Sequence, residues 1–212
     1  MKPTLKLYSG WIAAAAMAVI FLGSGFQATA EKTGVVDLNK VIQDSNTGKT
    51  NSTKLNQALA KRRGLLDFIT TYTVMTVEQA NQLKTLELKD PQTEADKAAV
   101  DKIKKDVQAS DKARADLMTK QNLTEADRRQ IQEYSERARR MEDLAQVWDR
   151  EFSNDLSNLR EQLQQSTIDL AKAALARVAK QQGFTTVLET TVAPYGANDL
   201  TAPTVTSMNA GR

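Results

Sequence analysis

The chain has 212 residues, with 29 basic and 26 acidic side chains, no cysteine, no histidine and only 5% aromatics. The missing thiols and imidazoles exclude disulfides, lipid attachment through a cysteine, most nucleophile–base pairs and the common transition-metal ligands, and no cofactor is expected. The near balance of charge argues against a nucleic-acid partner, which needs a sustained basic excess.

Residues 1–30 read as a signal peptide. Lys2 and Lys6 form a positive start, Trp11–Leu22 is an apolar stretch too short to span a bilayer, and Ala28-Thr29-Ala30 is a small-x-small cleavage site. Cleavage after Ala30 and export to the periplasm are expected, leaving 27 basic against 26 acidic side chains once Lys2 and Lys6 are gone.

Gly34–Leu38 then predicts a short strand, and Asn39–Ile42 a helical turn. Ser45–Thr53 is polar, contains Gly48 and reads as a loop. Gly48-Lys49-Thr50 superficially ends like a phosphate-binding loop, but Gln43 stands where the upstream glycine is required. From Leu65 to Gln182 there is no glycine and a single proline, Pro91. Such a run has few places for tight left-handed turns and predicts a long helical excursion.

A helical period starts at Thr53, with Leu55, Leu59, Leu66 and Ile69 on one stripe. Phe68–Val77 is rich in β-branched residues and leaves three options open: helix, bend or strand. Thr76 with Gln79 has capping-box spacing, and Asp90-Pro91 reads as a helix start. The ascending arm is thus segmented at about 72–76 and 89–91. Ala95, Val100, Ile103, Val107 and Leu117 carry the stripe to a turn near 120–124, where Thr124 and Asp127 recap the chain.

The descending helix runs to Gln182, on the order of 90 Å. Its seam is Ile131, Tyr134, Ala138, Met141, Ala145, Trp148 and Phe152, a seven-residue repeat. It then shifts to Leu156, Leu159, Leu163 and Leu170. Gly183 reads as a left-handed cap, Phe184–Glu189 as a strand and Pro194-Tyr195-Gly196 as a turn, with a short helix after Asp199-Leu200-Thr201.

Both ends of this pattern resemble one family. The entry GVVDLNKVIQDSNTGK (Gly34–Lys49) looks like the opening of the Skp/OmpH family of periplasmic chaperones. The exit is similar too, with TTVLE, Tyr195-Gly196, Asp199-Leu200-Thr201 and Met208-Asn209 in order. The architectural resemblance covers residues 31–212; in residues it covers about 34–49 and 163–209.

The resemblance implies a mostly α fold with a small β body, in which a long antiparallel helical hairpin is flanked by short strands forming a trimeric, barrel-like body. Residues 31–50 and 183–212 would make the body, and 51–182 the hairpin arm. It implies a homotrimer that holds unfolded outer-membrane proteins between its arms without ATP. On that reading Val35, Val36, Leu38, Phe184, Val187 and Leu188 supply both core and subunit interface. The chain departs from the family pattern in longer arms, with extra length around 70–125, and in Pro203, placed in a first turn capped by Thr201.

A thin stripe buries little against an ordering cost of ~1–2 kcal/mol per residue, so the arm should be marginal and mobile. Lys102, Lys104 and Lys105 should lie alongside Arg137, Arg139 and Arg140. One reading of this zone is a salt-bridged, solvated face, because acidic residues are interleaved. The other is attraction of anionic clients, lipopolysaccharide or an anionic membrane surface. The competing function is a structural coiled-coil spacer or adaptor with one folded partner. An enzyme is not expected, since the lysines that a Ser/Lys pair would need lie in charge-rich helical stretches.

Overall fold

The computed structural model describes residues 31–211. The expected signal peptide lies outside them. Among the described residues, two strands and six helices follow the order β1 (Thr33–Val36), α1 (Leu38–Asp44), α2 (Asn46–Thr71), α3 (Val77–Leu88), α4 (Glu94–Met118), α5 (Glu125–Gln182), β2 (Thr186–Glu189) and α6 (Thr201–Asn209). No helix among them is long and apolar enough to cross a membrane. The chain divides into two compact units, one of residues up to Gly48 with Ser166–Arg212, the other of Lys49–Gln165.

In the first unit β1 and β2 pair in parallel, Thr33 opposite Thr186 and Val36 opposite Glu189. The other edge of β1 is taken by the segment before α6: Val35 N–H donates to Asn198 O and Leu200 N–H to Val35 O, both at 2.8 Å. Val36, Val41, Ala171, Leu175, Val178, Phe184, Val187 and Leu200 close the core. Gly183 has φ +74° and ends α5 as the sequence predicts.

Several local expectations change here. Leu38 is not in the strand; Asp37 accepts from Lys40 N–H and caps α1, so Leu38 opens that helix. Ser45–Thr53 is not a loop. Ser45 is fully buried, its hydroxyl accepts from Gly48 N–H at 3.0 Å, and α2 begins at Asn46. Gly48 belongs there because a Cβ would sit 1.8 Å from Ile42 O. Thr201 is the first residue of α6 and not its cap; its hydroxyl accepts from Asp37 N–H, tying α6 to the end of β1.

In the second unit α2 and the bend after it touch α5 with residue numbers running in opposite senses: Asn51 with Leu163 and Arg62 with Asp155 from α2, then Val74 with Arg137. The open stretch 68–77 resolves into the end of α2 at Thr71, a bend, and a new helix from Val77. Thr76 and Gln79 form the reciprocal capping box their spacing predicts. The direction that follows departs from a single ascending arm. Lys61 Nζ reaches Lys89 O at 3.4 Å, so the far end of α3 lies beside the middle of α2 and α3 runs back along it.

The chain reverses again before α4. Here Asp90-Pro91 lies in the loop, and the helix starts after Thr93, whose capping box with Asp96 displaces the predicted start. Asp96 is buried in place of Ala95, which is exposed. Lys104 then stands over the Phe68 ring and Gln108 meets Tyr72, so α4 runs in the same sense as α2.

The stretch around 70–125 therefore does not simply lengthen an ascending arm. It folds back to give four helical segments at one level, sharing a core of Leu65, Ile69, Met75, Leu83, Val107, Met141, Trp148, Phe152 and their neighbours. The expectation of a thin, two-helix seam fails at this level, because helices from three other segments cover the α5 seam. Farther along α5, Leu170 is 46% exposed and Thr167 and Ala171 are buried instead.

Candidate functional site

Two groups of residues carry the functional expectations. In the first, the chain's own packing accounts for most members: Val35, Val36, Phe184 and Val187 are each at most 5% exposed within their own unit. Leu38 packs against the same core, and Leu188 is half-buried on β2. Beside them, Val192 is 58% and Tyr195 97% exposed in the segment after β2. The outer edge of β2 has no strand partner among the described residues.

One residue here went unremarked in the sequence. Glu189, the last of β2, accepts from Leu38 N–H (3.1 Å), Thr191 N–H (2.7 Å) and the Thr191 hydroxyl (2.8 Å). Burial pushes its carboxyl up, but these donors outweigh burial and leave the pKa lowered. An ionised Glu189 thus joins the start of α1 to the turn after β2. Its only signal was a carboxylate ending an apolar strand.

The second group, the basic zone, separates into two kinds of side chain. Lys104 pairs with Glu87 at 2.5 Å, Arg137 with Glu133 and with Val74 O at 3.1 Å, and Arg140 with Glu136 at 3.4 Å. These three are committed to holding helices together or to pairs along α5. Arg137 and Arg140 line a hollow with Met75, Thr76, Val77, Glu78 and Glu133, so two guanidinium groups there face two carboxylates. The Glu78 carboxyl is lowered, first by its own backbone N–H and then by the Thr76 hydroxyl. Lys102, Lys105 and Arg139 are exposed and enter no ion pair among the described residues. Of the six basic side chains expected to form one zone, three are therefore structural and three are without an ion pair among the described residues.

Comparison with known proteins decides the family. Residues 32–208 match the model described as outer membrane protein (OmpH-like), from just before β1 to the last turn of α6. The chain belongs to that family. No curated protein matches it, and no solved structure does. In this OmpH-like chain the match takes in the strands, the folded-back helices and α5 alike, so the extra helical reversal lies inside the family region.

Proposed function

We propose that this protein is an ATP-independent periplasmic holdase, exported with cleavage after Ala30, that keeps unfolded outer-membrane proteins from aggregating. The observation that carries the reading is membership of the OmpH-like family over nearly all of the described chain. The working form is a homotrimer in which α2–α5 of each subunit form an antiparallel hairpin arm and the arms enclose a cavity. Support for assembly comes from β2: a two-stranded sheet is marginal alone, and this one leaves an open edge next to half-buried Leu188 and exposed Val192 and Tyr195. Val35, Val36, Leu38, Phe184 and Val187 then back that surface from behind.

Holding of this kind rests on many weak contacts from several arms at once. Lys102, Lys105 and Arg139 supply the attraction to anionic clients, or to lipopolysaccharide or anionic membrane surfaces, screened over ~8–10 Å by salt. No catalytic step and no cofactor belong to this reading. The test is aggregation of an outer-membrane β-barrel diluted from urea. Substoichiometric trimer should suppress it, and a monomeric mass in solution or no suppression across a range of salt would defeat the reading.

A second reading has one observation in its favour. The packed core around Trp148 and Phe152 suits a structural spacer or adaptor with one folded partner better than a loose arm would. Recovery of one stoichiometric folded partner, and no unfolded clients, would favour it.

A further inference from the structure

We propose that the four-helix section, residues 65–107 with 134–152, is an autonomous brace that keeps its tertiary structure whatever the state of β1, β2 and α6. Among the described residues, eight of the twelve largest fully buried side chains belong to it: Ile69, Val74, Met75, Leu83, Val107, Met141, Trp148 and Phe152. A two-helix seam cannot enclose that much volume; the reversal through α3 is what encloses it. Both new helix starts carry their own capping boxes, at Thr76 and Thr93. Ties between helices also close within the section: Lys84 to Glu151 at 2.9 Å, Lys104 to Glu87, and Arg137 to Val74 O.

The rest of the same unit is packed quite differently. Between Asn51 and Gly64, and between Ser153 and Gln165, no apolar side chain is fully buried; Leu55, Leu59, Leu156, Leu159 and Leu163 are all half-buried. Cooperative unfolding is transmitted through shared buried contacts, and stretches lacking them separate one unfolding unit from the next. The separate stability of this section requires neither holdase activity nor assembly.

The test uses the chain from Glu31, the product of the proposed cleavage, in which Trp148, 1% exposed, is the single tryptophan and reports on the brace. Val36→Asp, at a 2% exposed position, disrupts the core of the first unit. Amides of β1, β2 and α6 should lose hydrogen-exchange protection, while those of α3, 100–107 and 134–152 change by less than about threefold and Trp148 keeps its buried emission. Leu83→Asp should do the reverse, shifting Trp148 emission to the red while β1, β2 and α6 stay protected.

A urea titration of the unsubstituted chain from Glu31 covers the case in which Val36→Asp is tolerated. Trp148 emission should follow a transition separate from that of β1 and β2 amide exchange. Joint loss of protection in both variants, or coincident transitions in urea, would overturn the proposal.

Discussion

Leu83 tests the helical reversal directly. It lies in the middle of α3, is fully buried, and shares its core with Ile69, Val107 and Trp148. In a simple two-helix arm a leucine at this point would face solvent on at least one side, and its truncation would cost about 1 kcal/mol or less. Enclosed among four helices it loses its transfer free energy, and a cavity remains that its neighbours cannot fill. Leu→Ala at such sites costs ~2–5 kcal/mol. The Lys84–Glu151 ion pair and the Thr76 capping box hold α3 against collapse onto the gap, so Leu83→Ala should cost about 3 kcal/mol.

For a chain of this size that corresponds to about 6–12 °C in Tm. The assay is urea unfolding of the chain from Glu31 followed by Trp148 emission, with Leu170→Ala as the control. Leu170 is 46% exposed, and its truncation should stay within about 0.5 kcal/mol. A loss at Leu83 below about 1 kcal/mol, or one equal to the control, would refute the enclosed position of α3.

The two glycines of α2 should respond in opposite directions. Gly48→Ala drives a Cβ to 1.8 Å from Ile42 O and should destabilise by about 1–3 kcal/mol. Gly64→Ala meets nothing within 4 Å and should stabilise by about 0.5–1 kcal/mol; thermal midpoints moving together would contradict the structure. The Lys89 ammonium, then the Thr93 N–H and hydroxyl, hold the Asp96 carboxyl down from 3.8 to about 2. A carboxyl lowered on folding stabilises above its unfolded pKa, and that contribution is lost as pH falls from 3.8 through about 2. Asp96→Asn should flatten the urea midpoint over that window, and an unchanged slope would count against it.

Reversing Lys102, Lys105 and Arg139 together to glutamate should weaken capture of an anionic client about tenfold at low salt and little at high salt. Arg137→Gln should instead lower thermal stability and leave the salt dependence of capture alone. If Arg137→Gln matches the triple reversal in binding, the division of the basic zone into free and structural charges is wrong.

Local chemistry made much of this fold legible. Thr76-Val77-Glu78-Gln79 announces a capping box within four residues, and Gly183 announces its own left-handed turn. The α5 seam from Tyr134 to Phe152 is readable because one helix keeps one phase. Direction is different. Whether the chain continues or reverses after Tyr72 depends on where Val74, Met75 and Leu83 find a core, and that core is completed by residues as distant in the chain as Met141, Trp148 and Phe152. Composition also misled at Ser45–Thr53, where a polar, glycine-containing string turned out to be the start of a long helix because Gly48 must pass close to Ile42 O. Charges were the hardest to read. The members of the basic cluster look alike in the sequence, yet Glu87, Glu133 and Glu136 claim Lys104, Arg137 and Arg140, and among the described residues Lys102, Lys105 and Arg139 have no ion pair.

The parallel pairing of Thr33 with Thr186 has a consequence for the order in which the molecule is made. Those partners stand 153 positions apart in the chain, and closing such a loop costs about 4–5 kcal/mol in entropy before any strand contact repays it. β1 is synthesised early but has neither neighbour until β2 and Asn198–Leu200 arrive. The residues around Trp148 are complete long before that. A chain growing or crossing a membrane from its N-terminus would therefore order its middle first and its two ends last, and until then β1 is an unpaired apolar strand in need of protection.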